Sequence, residues 1–266
     1  MLQQISGLVT ANGPLTGDYW LIEVQAPTVA RSLQPGQFVN IRIGGGVTPY
    51  LRRPFSVYRI SRDRSRLQVA YKTLGEGTRL MTTTMPVGGR CDLIGPLGNG
   101  FSLPPHARRI AVIGRGIGIA ALPTLVDLAV SKGIEVYGFL SARNARNLVA
   151  IDIFAQYGCP VFTHTDEESP GLKVSDELAL LVSRIDFDAF YVCGSNRLIR
   201  AVNRMATTLG IRAEAAMEQL MACGFGDCHG CVIQVNSDRE GRKKAYREVC
   251  HHGPVFEAWE VADART

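Results

Sequence analysis

Apolar and polar positions along the first hundred residues form short, partly alternating runs. Four of these runs, YWLIEVQA, QFVNIRI, FSVYRIS and LQVAYKT, are rich in β-branched and aromatic residues, and turns with Gly, Pro or Asp separate them. Several short antiparallel strands joined in this way are typical of a barrel. The pattern therefore predicts an antiparallel β-barrel domain over residues 1–100.

The pattern changes after GPLGNGFSLPP at 95–105, a loop by composition. Buried-strand patterns now alternate with helical spacing: RRIAVIG, EVYGFLSA, PVFTHT and DAFYVCGS are separated by the predicted helices 119–133, 144–154 and SDELALLVSRI, which we expect Ser175 to cap. NRLIRAVNRMATTLG follows as a last helix. This alternation predicts a parallel, doubly wound α/β domain over 101–213, and the Gly- and Cys-rich remainder predicts a small third domain over 214–266.

Composition adds limits to this multi-domain picture. The 266 residues are 46% hydrophobic and carry a net charge of +5, which is ordinary for a globular protein. No apolar run approaches the roughly 20 residues that span a bilayer, and the start shows no secretory pattern, so we expect a cytoplasmic protein without a membrane span. Basic residues cluster only weakly, at 59–66 and 239–247, which argues against nucleic acid as a partner.

The first strand of the α/β region ends in G-x-G-x-G, formed by Gly114, Gly116 and Gly118. Glycines between a strand and a helix let the backbone approach a pyrophosphate, and free N–H groups at the helix start face the anion. Tight packing is the alternative explanation for such glycines. Their place in the β/α alternation predicts a nucleotide-binding loop, although the acidic residue expected further on is ambiguous between Asp127 and Glu135.

Two barrel segments are candidates for further phosphate contacts. In LRRPFS an Arg side chain can bind a diphosphate with its fork of N–H groups, beside the Phe55 ring and the Ser56 hydroxyl. In YKTLGEGT, Gly77 and Thr78 stand at the start of a short predicted helix. An Arg on a barrel rim with a Phe in the core is the alternative for the first segment. Taken with the glycine loop, these segments predict two nucleotides that meet at the domain boundary.

Four of the seven cysteines fall near the C-terminus, spaced C-x4-C-x2-C with a distant fourth: Cys223, Cys228, Cys231 and Cys250. An odd total without an export signal argues against a disulfide framework. The spacing is the plant type of [2Fe–2S] site, whereas zinc sites usually combine two short pairs. Glycines between the cysteines allow left-handed dihedrals and bring N–H groups near the sulfurs. We predict a [2Fe–2S] cluster, with zinc and a metal-free loop as alternatives, and with the nearby histidines outside the ligand set.

These motifs together resemble the ferredoxin–NADP reductase superfamily, and within it the electron-transfer subunits of class 1B dihydroorotate dehydrogenase. The resemblance extends over essentially the whole chain and is carried by LRRPFSV, YKTLGEGTRL, GPLGNGF, GRGIGIAALP, MACGFGDCHGC and VCHHGPVF. It implies FAD on the barrel, NAD(H) on the α/β domain and the [2Fe–2S] cluster in the C-terminal domain.

The resemblance also implies which residues form each site. The FAD motif corresponds to Arg53 on the pyrophosphate, Ser56 near the flavin ring, and Pro54 and Phe55 between them. Further FAD contacts are implied for Ala70, Tyr71, Lys72, Gly77 and Thr78. The pyridine-nucleotide loop corresponds to Gly114, Gly116 and Gly118, with Cys193 and Gly194 near the nicotinamide. The cluster ligands correspond to Cys223, Cys228, Cys231 and Cys250.

The function implied is electron transfer between NAD(H), FAD, the cluster and a separate catalytic flavoprotein subunit, in a heterotetramer. In that family electrons run from dihydroorotate to NAD, and no catalytic acid or base is expected from this chain. The chain departs from the family pattern at Arg115, Ser195, Asp227 and His229. A reductase component for a different partner, a redox-sensing module and a zinc-stapled nucleotide-binding protein therefore stay open, as does NAD against NADP, since Arg143 could meet either a 2′-phosphate or solvent.

Overall fold

The computed structural model describes residues 2–44, 49–171 and 173–264. Its N-terminal part is a seven-stranded antiparallel sheet with the order β4-β3-β7-β1-β2-β6-β5. The elements of this part are β1 (Gln3–Thr16), β2 (Tyr19–Gln25), α1 (Pro27–Ser32), β3 (Phe38–Ile41), β4 (Arg53–Ser56), β5 (Arg59–Ile60), β6 (Arg66–Lys72), α2 (Glu76–Thr84) and β7 (Arg90–Leu97). The predicted antiparallel barrel is confirmed.

Alternation explains how these strands build a core. Along β6, Leu67, Val69 and Tyr71 are buried, since every second side chain of a strand points to the same face. The run FSVYRIS is two strands rather than the single one predicted. Between β4 and β5 the chain changes its pairing partner from β3 to β6. The Val57 N–H donates to the Gln37 carbonyl just before β3, and the Tyr58 N–H donates to the Gln68 carbonyl in β6. This change of partner joins the two ends of the sheet, as a barrel requires.

The second sheet has the order β10-β9-β8-β11-β12-β15, with five parallel strands and β15 antiparallel at the edge. Its elements are β8 (Arg109–Arg115), α3 (Pro123–Ser131), β9 (Glu135–Ala142), α4 (Ile151–Gln156), β10 (Val161–Thr165), α5 (Val174–Leu181), β11 (Ala189–Cys193), α6 (Asn196–Leu209) and β12 (Arg212–Ala216). The predicted parallel α/β domain is confirmed.

Three local predictions were wrong in detail. The helix expected over 119–133 is a 3-10 turn, Gly116–Ala121, followed by α3, which starts at Pro123, a residue suited to the first helical position. The segment 144–154 is helical only from Ile151, apart from a 3-10 turn at Ala145–Asn147. Ser175 does not cap α5, because Lys173 is the N-cap and its N–H donates to the Asp176 carboxylate at 3.1 Å.

The C-terminal segment is joined to the nucleotide sheet. It contains β13 (Val232–Asn236), β14 (Lys244–Glu248), α7 (Val249–His252), β15 (Val255–Glu257) and α8 (Ala258–Val261). The strands β13 and β14 form an antiparallel hairpin, and β15 pairs with β12. The predicted boundary between residues 213 and 214 falls inside β12, and the three-domain division stays a prediction.

The barrel and the nucleotide domain are connected by a polar cluster. The guanidinium of Arg59, on β5, donates to both carboxylate oxygens of Asp127 on α3, at 2.8 and 3.2 Å. The hydroxyl of Tyr157 donates to the same carboxylate at 2.8 Å. Within the described ranges, no helix is long and apolar enough to cross a membrane.

Candidate functional site

The two barrel segments predicted to hold phosphate meet at one place. Arg53 begins β4, and Gly77 is buried in the first turn of α2. A Cβ atom on Gly77 would lie 3.5 Å from the Arg53 Nε, so the guanidinium stands beside the N-terminus of the helix. The Thr78 hydroxyl accepts hydrogen bonds from the N–H groups of Leu74 and Gly75, which fixes the loop that leads into α2. A cation and a helix N-terminus together suit one diphosphate.

The other residues predicted to contact FAD lie in the barrel and are held there by contacts with its own side chains. The rings of Phe55 and Tyr71 meet edge to face with centroids 6.1 Å apart. Tyr71 is 1% exposed, its hydroxyl donates to Asn12 at 2.9 Å, and burial raises its pKa to about 12. Ala70 is buried too, and Lys72 lies 3.6 Å from the Asp18 carboxylate. Pro54 and Ser56 are half-buried on β4. The roles of these residues toward FAD stay predictions.

The glycine loop and the strand end predicted for the pyridine nucleotide adjoin each other. Gly114 lies opposite Cys193 in the β8–β11 pairing. A Cβ atom on Gly118 would stand 3.3 Å from the Cys193 carbonyl and from the Gly194 Cα. Gly116 has a φ of +54°, a conformation that favours glycine. Glycines at these positions let two backbones meet where the carboxyl ends of parallel strands bind nucleotides.

The Cys193 thiol itself is inside the protein. It is 2% exposed, and its S–H donates to the Ala216 carbonyl at 3.4 Å. Burial, assisted by the negative charge of Glu218, raises the thiol pKa well above its usual value. A neutral buried thiol is not a reactive nucleophile, so at this position a nucleotide would meet the backbone rather than the sulfur.

A cavity of about 820 Å³ opens at the carboxyl ends of the parallel strands. Arg115, Ser141, Thr165 and Asp166 line it, from β8, β9, β10 and the turn after β10, and the Arg115 guanidinium donates to the Asp166 carboxylate at 2.7 Å. Sequence reasoning missed the last three, although their position at strand ends was a usable signal. Exposed Arg143 does not line the cavity, so the choice between NAD and NADP stays open.

The four C-terminal cysteines stand as two pairs. The Cys228 N–H donates to the Cys223 sulfur, and the Cys250 N–H donates to the Cys231 sulfur, each at 3.4 Å. Among the residues described, no three His, Cys, Asp or Glu side chains gather as the ligands of a single metal ion. Two thiol pairs with N–H donors to the sulfurs suit a two-iron cluster better than one tetrahedral zinc ion.

The protonation of the cysteines also suits ligation. Burial acts to raise the pKa of Cys223, but the N–H groups of Phe225, Cys228 and Asp227, together with a hydrogen bond to the Cys228 thiol, outweigh it and lower the pKa to about 6. Burial and the adjacent Cys231 raise the pKa of Cys250 to about 12. A thiolate is the metal-binding form of cysteine, so the lowered pKa of Cys223 favours ligation, whereas Cys250 releases its proton when it binds a metal. The donor set therefore fits the cluster.

The histidines in and after the cluster segment, residues 223–231, contact a carboxylate. His229 and His252 place their Nδ1 atoms 2.7 and 2.6 Å from the two carboxylate oxygens of Glu248. The hydrogen bond from His229 is the main cause that lowers the pKa of Glu248. Each of these histidines therefore uses one ring nitrogen outside the cysteine set.

A residue that sequence reasoning missed connects strand β3 of the barrel with the first cysteine of the cluster segment. Asn40 is fully buried in the middle of β3, opposite Pro54 of β4, and its Nδ2 donates to the Cys223 carbonyl at 2.8 Å. The signal was weak, because an amide at position 40 fits the alternation of QFVNIRI, in which Val39, Ile41 and Ile43 face the barrel core.

Comparisons with known proteins agree with this arrangement. A model of the iron–sulfur cluster binding domain of dihydroorotate dehydrogenase B matches residues 218–262. The chain is 33% identical over 245 residues to the dihydroorotate dehydrogenase B (NAD(+)) electron transfer subunit of Desulforamulus reducens, covering 91% of this chain and 92% of the relative. The subunit of the same name from Geobacillus thermodenitrificans is 34% identical, with 88% of each chain covered.

Solved structures show the same fold at lower identity. An NADH-dependent reduced ferredoxin-NADP oxidoreductase aligns with a TM-score of 0.81 and 23% identity, over 96% of this chain and 89% of that one. Phthalate dioxygenase reductase aligns with a TM-score of 0.64 and 15% identity, over 89% and 88%.

Proposed function

The chain belongs to the family of dihydroorotate dehydrogenase B electron transfer subunits, and we propose that it carries electrons between NAD(H) and a separate catalytic subunit. FAD and a [2Fe–2S] cluster are its resident cofactors. The relatives are named for dihydroorotate dehydrogenase B, so the proposed partner is a catalytic flavoprotein subunit that oxidises dihydroorotate.

The adjacency of the three sites carries this proposal. Gly118 packs against Cys193 and Gly194 at the carboxyl ends of the parallel strands, where we propose that the nucleotide binds. Arg53 and Gly77 form the anion site on the barrel, and Asn40 of the adjoining strand contacts the first cysteine of the cluster segment. A Cβ atom on Gly116 would stand 3.4 Å from the Tyr19 hydroxyl of the barrel, so the glycine loop also adjoins the barrel, and nucleotide, flavin and cluster can be held in one chain.

The residues of the chain place and shield the cofactors. When bound, FAD supplies the exchange of a hydride with NAD(H) and of single electrons with the cluster. Arg53 and the N-terminus of α2 balance the charge of a diphosphate, and the backbone around Gly116 and Gly118 admits a second one. The N–H groups that donate to Cys223, Cys231 and Cys228 stabilise negative charge on the sulfurs, which bears on the reduction potential.

Assembly and location belong to the same proposal. Two copies of this chain and two of the catalytic subunit form a heterotetramer in the cytoplasm. All seven cysteines are free thiols, as a reducing compartment allows. Size-exclusion chromatography with light scattering on the co-expressed pair, and cell fractionation, test the two statements separately.

The first experiment is an anaerobic UV–visible spectrum with iron and sulfide assays, before and after NADH. We expect flavin bands and about two iron atoms per chain, both chromophores bleached by NADH. Cys231→Ser is expected to lose iron, whereas the matched Cys159→Ser, away from the cluster segment, keeps it. A wild-type protein with flavin and zinc but no iron would overturn the cluster assignment.

Reconstitution then identifies the partner. Mixed with a dihydroorotate dehydrogenase catalytic subunit, the loaded protein is expected to support dihydroorotate-dependent reduction of NAD. If NADH bleaches both chromophores but the reconstituted pair is inactive, the chain is a reductase component for a different partner.

A further inference from the structure

Asn40 is a buried amide placed between two candidate cofactor sites. It is 0% exposed, in the middle of β3, and its strand neighbour across the sheet is Pro54 of the Arg-Pro-Phe-Ser segment. Its Nδ2 donates to the backbone carbonyl of Cys223 at 2.8 Å, across 183 residues of sequence. Within the described chain its Oδ1 has no hydrogen-bond partner.

The cluster segment is built to accept this amide at close range. Gly224, which follows Cys223, has a φ of +83°, and a Cβ atom there would overlap the Asn40 Nδ2. The residue after the first cysteine must therefore be small for the contact to form. Two independent features, a donor from β3 and a glycine in the segment, thus serve a single contact.

The stability of the core does not by itself explain why an amide is buried at position 40. A buried amide with one unpartnered oxygen is unfavourable, because unpaired buried polar groups cost stability. An apolar residue at position 40 could be buried without that cost. The amide connects β3, the neighbour of the strand with the proposed FAD motif, to a proposed cluster ligand, and outer partners of metal ligands orient those ligands.

We propose that Asn40 is a positioning residue, whose amide holds residues 223–224 against strands β3 and β4 and so sets the placement of the cluster relative to the flavin. This inference rests on the proposed function, because it requires both cofactors. It concerns neither hydride transfer nor the partner, which depend on other surfaces of the chain.

The test compares three variants with a matched control. Asn40→Asp keeps the shape and removes the donor, Asn40→Ser removes most of the side chain, and Gly224→Ala disturbs the same contact from the other side. Asn236→Ser is the control, because Asn236 is also a buried amide that donates to a backbone carbonyl, Trp259 at 2.8 Å, away from the cysteines. Iron and flavin content and thermal unfolding are measured for each.

Three readouts separate positioning from stability. Stopped-flow absorbance gives the rate of flavin reduction by NADH and the rate at which the cluster is then reduced. Electron paramagnetic resonance of the reduced protein reports the cluster surroundings, and loss of iron to a chelator reports its retention. We expect about 10- to 100-fold slower cluster reduction or faster iron loss in the three variants, an altered resonance spectrum, and unchanged flavin reduction.

The direction in which Asn40→Asp changes the reduction potential of the cluster provides a further check. A carboxylate beside the cluster opposes added negative charge, so Asn40→Asp is expected to lower the reduction potential of the cluster relative to Asn40→Ser. Spectra and cluster-reduction rates of the Asn40 and Gly224 variants equal to those of Asn236→Ser would overturn the inference. If the Asn40 variants fail to fold, Gly224→Ala decides it alone. A wild-type protein without flavin or iron would instead overturn the proposed function.

Discussion

Single residues show how this chain combines ordinary packing with cofactor chemistry. Arg53 lies in a strand whose partner is buried in the barrel, yet its guanidinium reaches the first turn of α2. Gly118 has no positive φ, and its lack of a side chain is explained by the backbone 3.3 Å away at Cys193. In both cases the identity of the residue follows from what stands next to it in space.

Replacing Arg53 tests the anion site. Arg53→Lys keeps the charge but loses the planar fork, so we expect the dissociation constant for FAD to rise about tenfold, equivalent to about 1.4 kcal/mol. Fluorescence titration of the apoprotein with FAD measures it. Arg79 is exposed on α2, and the Arg79→Lys variant is the control, which should bind FAD as the wild type does. Equal affinity in both variants would contradict the assignment.

Replacing Gly118 tests the nucleotide loop. In Gly118→Ala the new methyl group meets backbone atoms of Cys193 and Gly194 at 3.3 Å, which can yield only by separating the loop from β11. We expect the KM for NADH in flavin reduction to rise about tenfold, with flavin content unchanged. Gly13→Ala, where a Cβ atom has no neighbour within 4 Å, should leave KM unaltered. A normal KM in the first variant would place the nucleotide elsewhere.

At the scale of elements, the nucleotide sheet depends on contacts at strand starts as well as at strand ends. Asp188, immediately before β11, accepts hydrogen bonds from the N–H groups of Arg108 and Arg109 at 2.7 and 2.8 Å. This carboxylate therefore aligns the starts of two parallel neighbours, β11 and β8. Burial opposes the effect, but these N–H groups and the arginine charges lower the pKa of Asp188.

The lowered pKa of Asp188 predicts a pH dependence. A folded-state pKa below the unfolded one means that the carboxylate stabilises the fold above the unfolded pKa and that this contribution is lost as pH falls through the folded pKa. We expect Asp188→Asn to lower the free energy of unfolding by about 1 kcal/mol at pH 7, and the difference to shrink below about pH 4. Urea unfolding across pH measures it, with exposed Asp186→Asn as the control. A difference that does not change with pH would contradict the carboxylate's role.

At the scale of the whole molecule, function requires the barrel and the nucleotide domain to keep one alignment. The ion pair of Arg59 and Asp127 spans the two, with each side chain 25% exposed. Because it is partly shielded from water, this pair contributes more than a fully exposed one. The C-terminal segment reaches both parts, through β15 on the nucleotide sheet and through Asn40 on the barrel.

A double-mutant cycle tests this alignment. For Arg59→Ala and Asp127→Ala we expect a coupling of about 1 kcal/mol in the free energy of unfolding. We also expect slower flavin reduction by NADH, because hydride transfer needs both domains in register. The pair Arg109 and Glu135, inside the nucleotide domain, is the control and should leave the rate unchanged. An unchanged rate without Arg59 would mean that other contacts set the alignment.

Much of the fold and the identity of the cluster segment could be predicted from the sequence by itself. Strand alternation, helical spacing and the C-x4-C-x2-C pattern are local signals, because they depend on backbone periodicity and on the reach of one loop. The boundaries at Gly116 and Ile151 were missed because a glycine-rich turn and a helix start can share the same apolar spacing.

The tertiary structure decided which local signals belong together. It placed Arg53 beside Gly77, Gly118 beside Cys193, and the cysteines in two pairs, and it put β15 on the edge of the nucleotide sheet. Asn40 and Cys223 lie 183 residues apart, and no periodicity connects them. The physical reason is that contacts between distant segments depend on how whole sheets pack, which a pattern along one segment does not encode.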